Sequence, residues 1–201
     1  VYPINPGAKE ILGCRCYPDL TAVQQEIDLA VIVIPAHFVL DILKTCGRHG
    51  VKLVVIITAG FRETGHEGLS AEHKMVEIAR EYQMRILGPN CLGLIDTLVP
   101  VNASFAAGMP SNGKIAFMSQ SGALCTSVLD FALAQDVGFS SFISLGNKAD
   151  LNEIDFLQSW AGDSQSNVVM AYLEGITDGA GFIEVARRAT KKKPVIAIKS
   201  G

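Results

Sequence analysis

Two serines and a glycine stand where an apolar run meets an amphipathic one, in "KIAFMSQSGALCTSVLDF", Lys114 to Phe131. A buried strand ending at Met118 and a helix opening at Gly122 aim the free N–H groups of the first helical turn across Ser119, Gln120 and Ser121. Backbone donors, the positive end of the helix dipole and two hydroxyls suit a phosphate. A serine cap on an ordinary helix has the same residue pattern, so this stretch alone leaves both readings open. An esterase elbow does not fit, because Ser119 stands where G-x-S-x-G needs glycine two residues before Ser121.

"GPNCLG", Gly88 to Gly93, sets Asn90 and Cys91 between a fixed proline φ and two glycines that allow close backbone approach. A nucleophilic Cys91 needs a base or a depressed thiol pKa, and the sequence offers neither. A tight turn or a ligand contact is the stronger reading. Glu174 follows the apolar run "NVVMAYL" and precedes Gly175, at the exit of a strand. A carboxylate there orients a histidine, accepts a proton or simply faces solvent. His66 and His73 lack the spacing of H-E-x-x-H, and no metal site is expected. Walker A and G-x-G-x-x-G patterns are both absent.

The elements that must position these residues alternate short β-branched runs with longer amphipathic ones, the pattern of parallel α/β architecture. "DLAVIVIP" and "VKLVVIITAG" read as strands covered on both faces, with helices over "AHFVLDILKTCGRHG" and "SAEHKMVEIAREYQ", the second capped by Ser70. "VYPINPG" reads as strand-like. "TLVPVNASFAAGMPSNG" breaks the period and marks a boundary at Gly108, after which the alternation restarts. Two open parallel sheets are expected, with "GPNCLG", "SQSGA" and "YLEG" converging on one crevice, since ligands gather at the carboxyl ends of such strands.

A chain of 201 residues is enough for one large or two modest domains, and 49% hydrophobic with 18% charged residues suits a soluble protein. Its net charge of −3 gives no basic surface for nucleic acid. The longest apolar stretch, "VIVIPAHFVLDIL", is too short and too interrupted for a membrane span. Five cysteines without a repeated pair fit a reducing cytoplasm. The opening without methionine and the close on a strand exit suggest a fragment.

In order, "GPNCLGLID", "SQSGAL", "GFSSFISLGNKAD" and "YLEGI" resemble the NDP-forming acyl-CoA synthetases, the superfamily of the succinyl-CoA synthetase α subunit. The resemblance runs over essentially the whole chain. It is closer to ADP-forming acetyl-CoA synthetases than to succinyl-CoA synthetase, which more often reads N-C-P-G, S-R-S-G and G-E-I-G-G at these places. It implies a Rossmann-like CoA-binding domain over residues 1–108, lacking its first strand. A flavodoxin-like CoA-ligase domain over residues 109–201, cut before the phosphohistidine loop, is implied after it.

The implied reaction activates a small carboxylic acid as an acyl phosphate, passes the acyl group to CoA, and carries phosphate on a histidine to ADP. Lys9, Pro35, Ala36, Ile57, Thr58 and Ala59 match CoA contacts, with Asn90 and Cys91 near the thiol end. Ser119, Gln120, Ser121 and Gly122 match the phosphoryl-facing helix start, Glu174 the partner of the phosphohistidine, and Thr126 a substrate contact. None of His37, His49, His66 and His73 matches the family's histidine. ATP or ADP and Mg belong to an ATP-grasp domain or β subunit, the implied partner, in an oligomer. The alternative is a non-catalytic acyl-CoA or nucleotide sensor of the kind fused to protein acetyltransferases, which lacks that histidine.

Overall fold

The computed structural model describes residues 1–200. The chain opens not as a strand but as loop bridged at Ile4 to Tyr17, because Pro3 and Pro6 cannot donate to a ladder. A small hairpin follows, β1 (Glu10–Ile11) and β2 (Cys14–Arg15), turned by Leu12 and Gly13 at φ 49° and 79°. Two consecutive positive φ values are what a two-residue hairpin turn demands.

The first sheet orders β3 (Leu29–Ile32), β4 (Leu53–Ile56) and β5 (Arg85–Leu87), all parallel. Helices α1 (Ala36–His49) and α2 (His66–Glu81) connect them. Ile32, Val39, Leu43, Val54, Ile56, Phe61, Met75 and Ile86 form their shared core. The expected Ser70 cap is corrected: the N-cap of α2 is Gly65, five residues earlier, and Ser70 lies inside the helix. Gly68 lets the helix run this close, since a Cβ there would sit 1.8 Å from the Phe61 carbonyl oxygen.

The second sheet is mixed. It contains β6 (Gly93–Asp96), β7 (Val101–Ser104), β8 (Asn112–Ser119), β9 (Phe139–Ser144), β10 (Val168–Leu173) and β11 (Val195–Lys199). Their order is β11-β10-β8-β9-β6-β7, with β6 antiparallel to both its neighbours. Helices α3 (Gly122–Gln135), α4 (Glu153–Gly162) and α5 (Gly179–Ala189) cross between the parallel strands.

Sheet membership therefore changes at Gly88–Leu92, ahead of the Gly108 boundary expected from punctuation. The four residues between β6 and β7 permit only a hairpin, and such a short hairpin broke the periodicity. Val55 and Leu87 of the first sheet share one apolar core with Met118, Ile143 and Leu173 of the second and with Leu157 of α4. That common core fixes the strand ends of the two sheets against each other. No helix among the described residues is long and apolar enough to cross a membrane.

Candidate functional site

A crevice of about 740 Å³ opens where strand exits of both sheets meet. Ile57 and Ala59 follow β4, Asn90 and Cys91 follow β5, Gln120, Ser121 and Gly122 follow β8, Gly146 and Asn147 follow β9, and Glu174 follows β10. Ile57, Ala59, Leu92 and Phe105 give it an apolar side. Arg62, Glu63 and Glu174 are its charged residues.

The start of α3 is capped by Ser121 and has open space at Gly122. Ser121 Oγ accepts the Leu124 N–H at 3.3 Å, as a cap should, while a Cβ on Gly122 would meet nothing within 4 Å. Gly122, the first residue of α3, lines the crevice, so the start of the helix lies at its wall. Ser119 does not: it is fully buried, and its hydroxyl accepts the Ser121 N–H at 3.0 Å. It shapes the turn and offers no hydroxyl to the crevice. Gln120 points sideways, its Oε1 accepting the N–H groups of Glu174 and Gly175 at 2.9 and 3.0 Å. Gln120 nonetheless lines the crevice, beside Ser121 and Gly122.

Cys91 is 4% exposed, and its Sγ donates to the Ile56 carbonyl at 3.4 Å. Burial pushes its thiol up to about 12, so it stays protonated at neutral pH. Its role is to tie the turn after β5 to the end of β4. Gly146 completes that packing, since a Cβ there would sit 2.3 Å from the Pro89 carbonyl oxygen.

Four expected CoA contacts lie outside the lining. Thr58 clamps the exits of β3 and β4, its Oγ1 donating to the Ile34 carbonyl at 2.7 Å and accepting the Ile34 N–H at 3.2 Å. Pro35 and Ala36 begin α1, with Ala36 beside Gly60. Lys9 precedes the exposed hairpin, where its carbonyl accepts the Cys16 N–H. Thr126 sits one turn into α3 with its hydroxyl donated back to the Gly122 carbonyl at 3.2 Å. His66 and His73 are exposed on α2, and the described residues show no group of three or more His, Cys, Asp or Glu side chains placed to hold a metal ion.

The crevice also uses residues the sequence did not single out. Arg62 pairs with buried Glu72, with its Nε 2.6 Å from Glu72 Oε1. Asn147 Nδ2 donates to Glu63 Oε2 at 2.6 Å and to Glu72 Oε2 at 3.0 Å, and its Oδ1 accepts from Asn90 Nδ2 at 3.3 Å. Burial raises the Glu63 pKa, but hydrogen bonds from Asn147 and the Gly60 and Phe61 N–H groups outweigh it and hold the carboxyl below its ordinary value. Their strand-exit loops were the available signal. Which polar side chains in them turn inward depends on the sheet-to-sheet packing.

Architecture and crevice together define a two-sheet α/β chain whose crevice lies at strand exits, the place where such folds gather ligands. Residues 1–97 match the family described as "CoA binding domain", and residues 112–201 the "Succinyl-CoA ligase like flavodoxin domain". The chain belongs to the NDP-forming acyl-CoA synthetase superfamily. It is 48% identical, over all of its length and 44% of the relative's, to the α subunit of acetate–CoA ligase [ADP-forming] II of Pyrococcus furiosus. It is 43% identical to 4-hydroxybutyrate–CoA ligase [ADP-forming] of Nitrosopumilus maritimus, again over the whole chain but 29% of that relative. A solved acetyl-coenzyme A synthetase 1 of Ca. Korarchaeum cryptofilum, in complex with phosphate and ADP, superposes with a TM-score of 0.95. Identity to it is 42%, covering 100% of this chain and 43% of that one. The chain thus spans less than half the length of these relatives.

Proposed function

We propose that this chain is the CoA-handling and phosphoryl-accepting part of an ADP-forming acyl-CoA synthetase that converts a small carboxylic acid, CoA and ATP to acyl-CoA, ADP and phosphate. The observation that carries this reading is the meeting of Asn90, Ser121, Gly122 and Glu174 in one crevice, with the start of α3 at one end and apolar residues along a side. Donors and helix dipole suit the charge of a transferring phosphoryl group. Ile57, Ala59 and Phe105 suit the apolar arm that ends in the CoA thiol. Cys91, buried and protonated, does not compete with that thiol for the acyl group.

Glu174 is assigned to hold one ring nitrogen of the phosphoryl-carrying histidine, leaving the other free to attack. His37, His49, His66 and His73 do not line the crevice, so the histidine comes from outside these residues. An ATP-grasp domain or subunit supplies the nucleotide and Mg, in a cytoplasmic assembly. Relatives of comparable identity carry the names of acetate and of 4-hydroxybutyrate ligases, so the acid is proposed only as a small carboxylate.

The test is phosphate labelling of the histidine in the complete synthetase. Glu174→Gln should keep CoA binding and lower labelling from ATP or acyl phosphate by at least about 100-fold, within the range for lost positioning and electrostatics. Labelling at the unmutated rate removes Glu174 from the reaction.

A further inference from the structure

We infer that Lys148, with Glu153 and Gln120, is a positioning residue for Glu174, acting through the backbone of the turn that carries it. The inference rests on the assignment of Glu174 above. Lys148 Nζ donates to Glu153 Oε2 at 2.7 Å and to the Gly175 carbonyl, one peptide beyond Glu174. From the other side Gln120 Oε1 accepts the N–H groups of Glu174 and Gly175. Gln120 itself is fixed by its own N–H, which donates to the Tyr172 carbonyl at 2.9 Å. The turn after β10 is therefore gripped at successive peptide groups by side chains from two other strand exits.

The grip is made from an expensive component. Lys148 and Glu153 expose only 6% and 2% of their side chains. Desolvating both ions largely cancels their attraction, and an apolar pair of similar volume stabilises a fold at least as well. What an apolar pair cannot supply is a charged donor held on the Gly175 carbonyl. Lys148 also occupies a left-handed backbone conformation, φ 56°, that ordinary side chains seldom adopt. Both features fit a residue placed for the turn it holds. Glu174 is exposed in the crevice, so the direction of its carboxylate depends on its backbone being fixed.

Lys148→Met alone would strand Glu153 as a buried unpaired charge and confuse folding with function. The test therefore removes both charges, Lys148→Met with Glu153→Gln, and in a separate protein removes the opposite grip, Gln120→Met. Both are made in the complete synthetase, with and without Glu174→Gln, and read by the rate of histidine labelling and by calorimetric CoA affinity. Each should slow labelling at least tenfold while CoA affinity stays within threefold. Each should add less than twofold to the loss already caused by Glu174→Gln, because residues that act through one group are not additive with its removal.

Unmutated labelling rates in either protein, or losses that multiply in full with that of Glu174→Gln, overturn the inference. If the double variant does not fold, Gln120→Met carries the same two criteria. Unmutated labelling in Glu174→Gln itself is the separate failure, that of the assignment on which the inference rests.

Discussion

Asn147 and Lys148 are neighbours in the chain and face opposite environments. Asn147 turns to the first sheet, where it meets Glu63 and Glu72 beside the crevice, whereas Lys148 turns to the second and ends against Glu153 and Gly175. Glu63 is exposed and Glu72, though buried, pairs with a half-exposed Arg62, while both members of the Lys148–Glu153 pair are almost fully buried. Similar side-chain chemistry thus does different work. In water, a charge pair is weak and a shift in it is cheap. In a dry site, the pair adds little net stability, but loss of one partner is costly because the other remains buried and unmatched. The dry side specifies one geometry for the Glu174 turn, while the wet side leaves Arg62 and Glu63 at the crevice surface.

The largest expected effect tests the dry side. Lys148→Met should lower stability by about 3 to 5 kcal/mol, and adding Glu153→Gln should return most of that loss. Thermal midpoints of the two proteins check it. A Lys148→Met midpoint within 2 °C of the unmutated protein would mean that Glu153 finds another partner or solvent, and the contrast between the sides would disappear.

Much of this arrangement was legible beforehand, for a definite reason. A strand covered on both faces reads as a continuous apolar run, so "VKLVVIITAG" and "KIAFMS" identified β4 and β8, and the residues after them had to be strand exits. Asn90, Ser121, Gly122 and Glu174 were located in the crevice by that logic. Side-chain direction was not legible. Ser119 and Ser121 are alike in the sequence, yet only packing against the Ser121 backbone decides that Ser119 turns inward. Lys148 sat within the quoted "SLGNKAD", but nothing local shows that its ammonium reaches Gly175, 27 residues away. Lys9, Pro35, Ala36 and Thr126 came from the resemblance, and they lie outside the lining. The β6–β7 hairpin was hidden because its strands are short and its turn looks like a linker.

A middle-sized effect should appear at the junction between the two sides. Asp150 accepts the Ile86 N–H at 2.8 Å and pairs with Arg85 Nε at 2.9 Å. Arg85, half-exposed, also reaches Asp155 at 3.2 Å. Asp150→Ala removes the acceptor of a part-buried backbone donor and should cost about 1 to 3 kcal/mol. Arg85→Ala removes only surface pairs and should cost less than about 1 kcal/mol. Thermal midpoints that fall equally in the two proteins would show that the ion pair, not the backbone bond, joins the sheets there.

The smallest effect should mark the wet side and depends on pH. The Glu63 carboxyl titrates below its ordinary value of 4.5, because hydrogen bonds to its charged form outweigh the cost of its partial burial. A depressed carboxylate contributes stability that is fully present above the unfolded pKa and disappears as pH falls through the folded one. Glu63→Gln keeps the amide-sized side chain and an acceptor while removing the charge. At pH 7 it should lower stability by less than about 1 kcal/mol, since the group is largely exposed and screened. As pH falls below about 4.5, the difference between the two proteins should shrink toward zero, because the unmutated carboxyl takes up the proton that the amide never needs. Thermal midpoints of both proteins from pH 3 to 7 measure that difference directly. A gap that stays constant with pH would assign the Gly60–Glu63 turn to side-chain shape instead of charge. The gap should also narrow in high salt, whereas the Lys148→Met loss, held in a dry site, should not.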